Sequence, residues 1–173
     1  MKLESEIMSQ FTYEIREAQK NDVPILADLI KQLAIYEKMI DECVATQELY
    51  QKYGFGEDAI FDALLVENTS GEEPPYFGMA LYYYTYSTFT GKPTLYLEDL
   101  FVLEEYRGRG IGTSLLKRLA KIALDKGCGR MEWACLDWNE PSIKYYLSLG
   151  AKPMDEWTVY RLTPLELRKL VSK

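Results

Sequence analysis

The sequence contains no histidine, and this absence excludes several kinds of active site. Ser-His-Asp and Cys-His catalysis both need an imidazole base, and the H-E-x-x-H zinc motif needs two histidine ligands. The three cysteines show no C-x-x-C spacing, so neither a zinc site nor a disulfide framework is indicated, and no metal is predicted. Any proton transfer must therefore use carboxylates, tyrosine, lysine, cysteine or water.

Long apolar runs and an excess of basic residues are also missing. No stretch approaches the roughly 20 apolar residues of a membrane span. Residues 1–10 lack the apolar core of a secretory signal and are predicted to be a loose extension. The net charge of −7 disfavours nucleic acid and favours cationic substrates, although such a charge also serves solubility alone. We therefore expect a cytoplasmic protein without nucleic-acid or membrane partners.

The pattern of apolar residues predicts one α+β domain over residues 11–173. Strands are expected at 11–16, 63–67, 77–86, 95–103, 130–136 and 157–162. Helices are expected after Asp22 as far as about Met39, and at 47–53, 111–126, 139–149 and 164–171. The result is a strand-rich middle with a βαβ unit around a glycine-rich turn.

That turn, residues 106–113, reads Tyr-Arg-Gly-Arg-Gly-Ile-Gly-Thr and lies between a predicted strand and a predicted helix. Glycines let backbone N–H groups approach a ligand, and the helix start adds donors and the positive end of a dipole. This combination suits a pyrophosphate. The Walker pattern is absent, and the dinucleotide G-x-G-x-x-G pattern does not fit. At this point a turn that merely joins strand to helix remains the alternative.

Arg107, Gly110 and Gly112 spell Arg-x-x-Gly-x-Gly, which resembles the acyl-coenzyme A signature of the GCN5-related N-acetyltransferases (GNAT). Further runs resemble the spermidine/spermine N1-acetyltransferase branch and its thialysine Nε-acetyltransferase relatives. These runs lie at 33–37, 53–56, 95–108, 137–142 and 145–151. The resemblance extends over about residues 11–162.

The resemblance implies an N-acetyltransferase that uses acetyl-CoA as cosubstrate and a small-molecule amine as acceptor. It also implies the GNAT fold, a mixed and strongly bent central sheet with splayed strands, flanked by helices. A homodimer is expected, with the region from Trp157 onward contributing to its interface.

Transfer of an acetyl group to an amine requires a neutral amine and a proton for the departing thiolate, and positioning supplies much of the rate. The resemblance assigns the proton donor to Tyr146, for which an ordinary core tyrosine is the alternative. It assigns amine recognition and proton removal, through water, to Glu98. Asp99, the next residue, is expected on the other side of the strand.

The resemblance also gives two larger sets of binding residues. Those expected to contact the amine are Tyr36, Glu37, Ser87, Glu98, Glu132, Trp133 and Ala134. Those expected to bind acetyl-CoA are Leu100, Phe101, Val102, Arg107, Gly108, Arg109, Gly110, Ile111, Gly112, Thr113, Asn139 and Ser142.

Ser87 bears on the choice of amine, because the polyamine acetylases of this branch carry an aspartate there. The thialysine relatives have Ser-Thr at this point, as here, and share the Leu-Asp-Trp-Asn run at 136–139. This favours thialysine or a related small primary amine, with polyamines second. Two other hypotheses remain, a protein acetyltransferase and a module that binds acyl-CoA without turnover. The latter predicts loss of Tyr146 or Glu98, and both are present.

Overall fold

The structure, a computed structural model, describes residues 11–172, so the predicted extension at 1–10 lies outside the described residues. The chain divides into two compact units. The first ends at Ala134 and the second begins at Cys135, and each is described by itself.

The first unit is built on a five-stranded sheet. Its strands are β1 (Tyr13–Glu17), β2 (Asp62–Asn68), β3 (Tyr76–Ser87), β4 (Lys92–Val102) and β5 (Arg130–Trp133). Its α-helices are α1 (Val23–Tyr36), α2 (Gln47–Phe55) and α3 (Ile111–Asp125). Strands β1 to β4 pair in chain order and antiparallel, whereas β5 lies parallel to β4. This mixed sheet with flanking helices confirms the predicted α+β class.

Helix α1 covers one face of the sheet. Its first turn carries Pro24, which has no N–H to lose there. Apolar residues at helical spacing then face the sheet and are fully or almost fully buried: Leu26, Leu29, Ile30 and Leu33. They pack against Met79 and Leu81 of β3 and Phe101 of β4. Each such side chain contributes roughly 1.5–3 kcal/mol on burial, so this cluster holds the end of α1 firmly against the sheet.

Helix α3 packs against β3, β4 and β5. Its buried face carries Ile111, Leu115 and Leu119. Near the start of this helix, the side chain of Leu100 lies 3.9 Å from the point where a Cβ on Gly112 would be. Because Leu100 turns towards α3 and Phe101 towards α1, β4 ends between the two helices, with its side chains alternating in the usual way.

The second unit contains α4 (Glu140–Ser148) and α5 (Pro164–Val171). The predicted strand at 157–162 is wrong, because residues 151–163 form neither strand nor helix. An alternating apolar pattern cannot supply the neighbouring strand that a ladder needs, and in residues 11–172 none pairs with this segment. Trp157, Val159 and Tyr160 instead expose between 70% and 91% of their surface.

No helix in the described range has the length and apolarity needed to cross a bilayer.

Candidate active site

The glycine-rich turn has the geometry of an anion cradle. Gly108 and Gly110 have φ values of 73° and 83°, which other residues adopt only with strain. A Cβ at either position would meet no atom within 4 Å, so open space lies beside both. The bond from Ser114 N–H to the Gly110 carbonyl, 3.0 Å, closes the first turn of α3, and no side chain caps that turn. Ile111 and Gly112 thus lie where helical N–H groups lack intrahelical acceptors, which fits a pyrophosphate.

Two arginines flank this turn, and both lie on aromatic rings. The Arg107 guanidinium carbon is 4.3 Å from the ring centre of Tyr36, and its Nε donates to the Val102 carbonyl at 2.9 Å. The Arg109 guanidinium carbon lies 5.2 Å from the ring centre of Tyr106. Arg107 therefore lies against the end of α1 and Arg109 against a ring of the turn, and their contact with a diphosphate remains a prediction.

The strand before the turn has an open backbone edge. On one side β4 pairs with β3 as far as Val102, opposite Gly78. On the other side its pairing with β5 stops at Leu97, and no other described strand continues the ladder. The backbone groups at 98–102 therefore face no strand on that edge. An open edge is what the predicted contact of Leu100, Phe101 and Val102 with the pantetheine arm needs, and that contact remains a prediction.

Gly78 was missed by sequence reasoning, although it shapes this strand end. A Cβ at Gly78 would lie 2.3 Å from the carbonyl oxygen of Phe101, which is a clash with backbone. Only glycine lets β3 approach β4 this closely beside the open edge. A glycine inside an aromatic strand was the available signal.

A β-bulge changes the expected orientation of the two carboxylates in β4. Leu81 pairs with Asp99 whereas Tyr82 pairs with Leu97, so Glu98 is the extra residue. Asp99 shares the face of Leu81, which is the α1 face. Glu98 also lies on that face, close enough to the phenol of Tyr83 and to Asp99 to raise the pKa of both. The prediction that Asp99 points to the opposite side is therefore wrong.

The environment of Asp99 favours its protonated form. Burial raises its pKa to about 6, and the negative charges of Glu98 and Glu37 add to the effect. Burial also raises the pKa of Glu37, which directly follows α1. The end of α1 and the bulge of β4 thus bring three carboxylates into electrostatic contact. Asp99 was not among the predicted site residues.

Two aromatic rings stand beside Glu98. Tyr83 and Tyr96 lie opposite each other on β3 and β4, with ring centres 5.2 Å apart. Burial raises the pKa of both phenols, and the Glu98 charge raises it further. Rings next to carboxylates form the kind of surface that holds an organic cation.

The predicted residues of β5 are divided between the two faces of the sheet. Glu132 lies opposite Tyr96 and so shares the face of the carboxylates, where its carboxylate forms an ion pair with Arg130 Nε at 2.9 Å. Trp133 lies opposite Leu97 and faces the other way. Ala134 directly follows the strand and is exposed.

Ser87 ends β3 and is buried, with 7% of its surface exposed. Its hydroxyl accepts a bond from the Thr90 N–H at 3.3 Å within the β3–β4 turn. The side chain therefore braces this turn, and its predicted contact with the amine remains a prediction.

In the second unit, Tyr146 lies in α4 and is half-buried, with its ring centre 5.9 Å from that of Tyr145. Burial raises the pKa of Tyr146 to about 12, and neighbouring Cys135 and Tyr145 contribute. Its phenol therefore keeps its proton at physiological pH and can donate it. Asn139 caps α4, because its side-chain oxygen accepts from the Ser142 N–H at 3.4 Å. The predicted contacts of Asn139 and Ser142 with acetyl-CoA remain predictions.

Comparison with known proteins agrees with this geometry. Residues 34–151 match the model of the Acetyltransferase (GNAT) family. The chain is 39% identical over 166 residues to thialysine N-epsilon-acetyltransferase of Sus scrofa, covering 92% of this chain and 97% of that protein. It is 30% identical over 190 residues to L-ornithine N5-acetyltransferase of Arabidopsis thaliana, covering 86% of this chain and 83% of the relative.

Among solved structures, an integron cassette protein of V. cholerae is similar in fold, with a TM-score of 0.77 and 27% identity. That comparison covers 93% of this chain and 98% of the other. The family match covers well over half of the sequence, and the two enzymes named above match it over most of their length. The chain belongs to the GNAT acetyltransferase family and is an acetyl-CoA-dependent N-acetyltransferase.

Proposed function

We propose that this enzyme acetylates the side-chain amine of thialysine or a similar small amino acid. The observation that carries the proposal is the position of Glu98 and Asp99 on one face of β4. They directly precede the backbone groups at 100–102 that are proposed to hold the pantetheine arm. An amine bound by these carboxylates would therefore lie close to the acetyl group.

The proposed division of labour follows the chemistry of acyl transfer. The turn at 108–113, with Arg107 and Arg109, binds the diphosphate, and Asn139 and Ser142 contact the cosubstrate near its thiol end. Acetyl-CoA, when bound, supplies an acetyl group activated as a thioester. Glu98 holds the ammonium group of the acceptor and removes a proton through water. Tyr146 donates its proton to the departing thiolate, and its phenol carries that proton at physiological pH because its pKa lies above this range.

Three features favour an amino acid over a long polyamine. Ser87 is neutral, so no carboxylate at this position attracts a remote ammonium group or repels an acceptor's own carboxylate. The thioether of thialysine lowers the pKa of its amine, so more of it is neutral at physiological pH. The relatives from Sus scrofa and Arabidopsis thaliana are named for acetylating the side-chain amines of thialysine and ornithine.

We further propose that the enzyme is a homodimer in the cytoplasm. Val159 and Tyr160 each expose about 90% of their surface in a segment without strand partners, and a second subunit would cover them. Cys43, Cys128 and Cys135, all within the described residues, form no disulfide, which fits a reducing compartment.

The experiment that tests this function is steady-state release of coenzyme A with five acceptors: thialysine, spermidine, spermine, lysine and a lysine peptide. We expect the highest kcat/KM with thialysine. A preference for spermidine would replace the amino acid by a polyamine, and a preference for the peptide would indicate a protein acetyltransferase. Binding of acetyl-CoA without turnover of any amine would support the non-catalytic alternative.

A further inference from the structure

The contact between Arg107 and Tyr36 joins two parts of the first unit that are far apart in the sequence. Tyr36 is the last residue of α1 and packs against the core cluster beneath that helix. Arg107 lies in the glycine-rich turn. Its Nε–H donates to the carbonyl of Val102, the last residue of β4, at 2.9 Å. The guanidinium carbon lies 4.3 Å from the Tyr36 ring centre and 5.6 Å from that of Phe101.

This arrangement adds a contact within the protein to the charge that Arg107 is proposed to offer the diphosphate. The Nε–H donates to the Val102 carbonyl, and the guanidinium carbon lies over the Tyr36 ring. A ring attracts a cation over its face, and a lysine lacks the planar, multi-donor group that keeps both contacts at once. Arg109 has no such link to α1, since its guanidinium lies over Phe11, which precedes β1, and over Tyr106 within the turn.

We infer that Arg107 is a positioning residue that holds Tyr36 at the amine site and thereby couples acceptor binding to the acetyl-CoA turn. The inference rests on the proposed function, in which Tyr36 contacts the amine. When acetyl-CoA orders the glycine-rich turn, Arg107 fixes the Tyr36 ring. When a bound amine fixes that ring, the ring orients Arg107 for acetyl-CoA. Coupling of this kind is reciprocal, so each residue affects binding at the site of the other.

The test is a double-mutant cycle with Arg107→Lys and Tyr36→Leu, read as the KM of thialysine and the Kd of acetyl-CoA. A lost cation–ring contact changes affinity by about three- to tenfold. We expect Arg107→Lys to raise the amine KM by that factor, with kcat within about twofold. In the Tyr36→Leu background the same change should have almost no effect. Tyr36→Leu should weaken acetyl-CoA binding only where Arg107 is present.

Two further variants separate positioning from a general loss of structure. Tyr36→Phe keeps the ring, so Arg107→Lys should raise the amine KM by the same factor in the Tyr36→Phe background as in wild type. Arg109→Lys alone should weaken acetyl-CoA binding. Adding Tyr36→Leu to that variant should raise the Kd of acetyl-CoA by the same factor as Tyr36→Leu does in wild type. Independent effects of Arg107→Lys and Tyr36→Leu on both quantities would overturn the inference.

Failure of the proposed function is distinguishable from failure of this inference. If wild type acetylates no amine, the function is wrong, and the cycle is then read from acetyl-CoA binding alone by calorimetry. Coupling between the two substitutions in that Kd supports the positioning role without turnover. Additive changes in the same Kd contradict it.

Discussion

Glu98 and Asp99 are consecutive residues of β4, yet both side chains lie on the α1 face of the sheet. The bulge between Leu97 and Asp99 produces this arrangement, because the backbone of Glu98 has no paired residue on β3. Burial is the main reason why the pKa of Asp99 rises to about 6, and the adjacent negative charge of Glu98 adds to the effect.

The raised pKa of Asp99 predicts a pH-dependent effect on stability. The folded protein binds this proton more tightly than the unfolded chain, whose aspartate has the ordinary value of 3.8. Stability attributable to Asp99 therefore falls as the pH rises from about 4 to about 6. We expect Asp99→Asn to raise the free energy of unfolding at pH 8 by about 1–3 kcal/mol.

Urea denaturation at pH 4 and pH 8 measures this difference. The gain from Asp99→Asn should shrink at the lower pH, where the aspartate is mostly protonated. Glu57→Gln, at an exposed position, is the control and should change stability at neither pH. A loss of stability in Asp99→Asn at pH 8 would mean that the carboxylate has a compensating partner.

The positive φ of Gly110 predicts a defect in cosubstrate binding. Gly110→Ala places a methyl group in the open space of the cradle and adds about 1 kcal/mol of backbone strain. Gly127→Ala is a matched control, because its φ of 73° is close to the 83° of Gly110 and its surroundings are equally open, but it follows the C-terminal end of α3.

Calorimetric titration with acetyl-CoA distinguishes the two variants. We expect the Kd to rise at least about tenfold for Gly110→Ala and to stay within about twofold for Gly127→Ala. Equal effects would show that strain alone, rather than occupation of the cradle, determines affinity.

The proposed acid role of Tyr146 predicts a loss confined to the chemical step. Tyr146→Phe should lower kcat about 100-fold, a typical contribution of a positioned acid, with little change in either KM. Tyr145→Phe, the neighbouring phenol in the same helix, should retain kcat within about threefold. Because the pKa of Tyr146 is about 12, wild type should show no loss of kcat from its ionisation below pH 10. A similar loss in both variants would argue against an acid at position 146.

The neutral residue Ser87 predicts a change in acceptor preference. Ser87→Asp introduces the charge found in polyamine acetylases, while its carboxylate can still accept from the Thr90 N–H. We expect the ratio of kcat/KM for spermidine over thialysine to increase about tenfold, the value of one favourable charge contact. Ser87→Asn introduces a side chain of the same size as aspartate but without its charge, and it should leave the ratio unchanged. An unchanged ratio in Ser87→Asp would remove Ser87 as the selector.

A buried ion pair predicts acid sensitivity of the sheet. Asp22 accepts two bonds from Arg16, at 2.7 and 2.9 Å, and Arg16 also bonds Glu67 and Tyr76. The bonds from Arg16 hold the pKa of Asp22 below 3.8. Their contribution is therefore present above pH 4 and is lost as the pH falls through the lowered pKa.

Asp22→Asn should lower the free energy of unfolding at pH 7 by about 2–3 kcal/mol, because it leaves Arg16 without its main partner. The deficit should narrow below pH 4. Lys121→Gln removes an exposed pair with Asp125 at 2.9 Å and should cost less than about 0.5 kcal/mol. Thermal melts at pH 3 and pH 7 provide the measurement, and a constant deficit at both would contradict the assignment.

The sequence predicted most elements because their signals are local. The spacing of Leu26 to Leu33, the glycines of the turn, and Pro164 in the first turn of α5 each act within a few residues. The predicted bounds of α5 agree with the structure. The acetyl-CoA signature was visible for the same reason, since its residues are contiguous.

What the sequence could not predict depends on partners distant in the chain. The orientation of Asp99 follows from the register between β3 and β4, and one unpaired residue reverses it. The contact of Arg107 with Tyr36 follows from how α1 lies on the sheet. The strand expected at 157–162 had the right side-chain pattern, but pattern alone supplies no neighbouring strand.

Competition between two amines tests the central claim most directly. Equal concentrations of thialysine and spermidine are incubated with the enzyme and acetyl-CoA, and the products are identified by mass spectrometry. We expect acetylation of thialysine on its side-chain amine to dominate during the initial turnover. Predominant acetylspermidine would contradict the amino-acid assignment, and acetylation of the thialysine α-amine would contradict the proposed orientation of the acceptor.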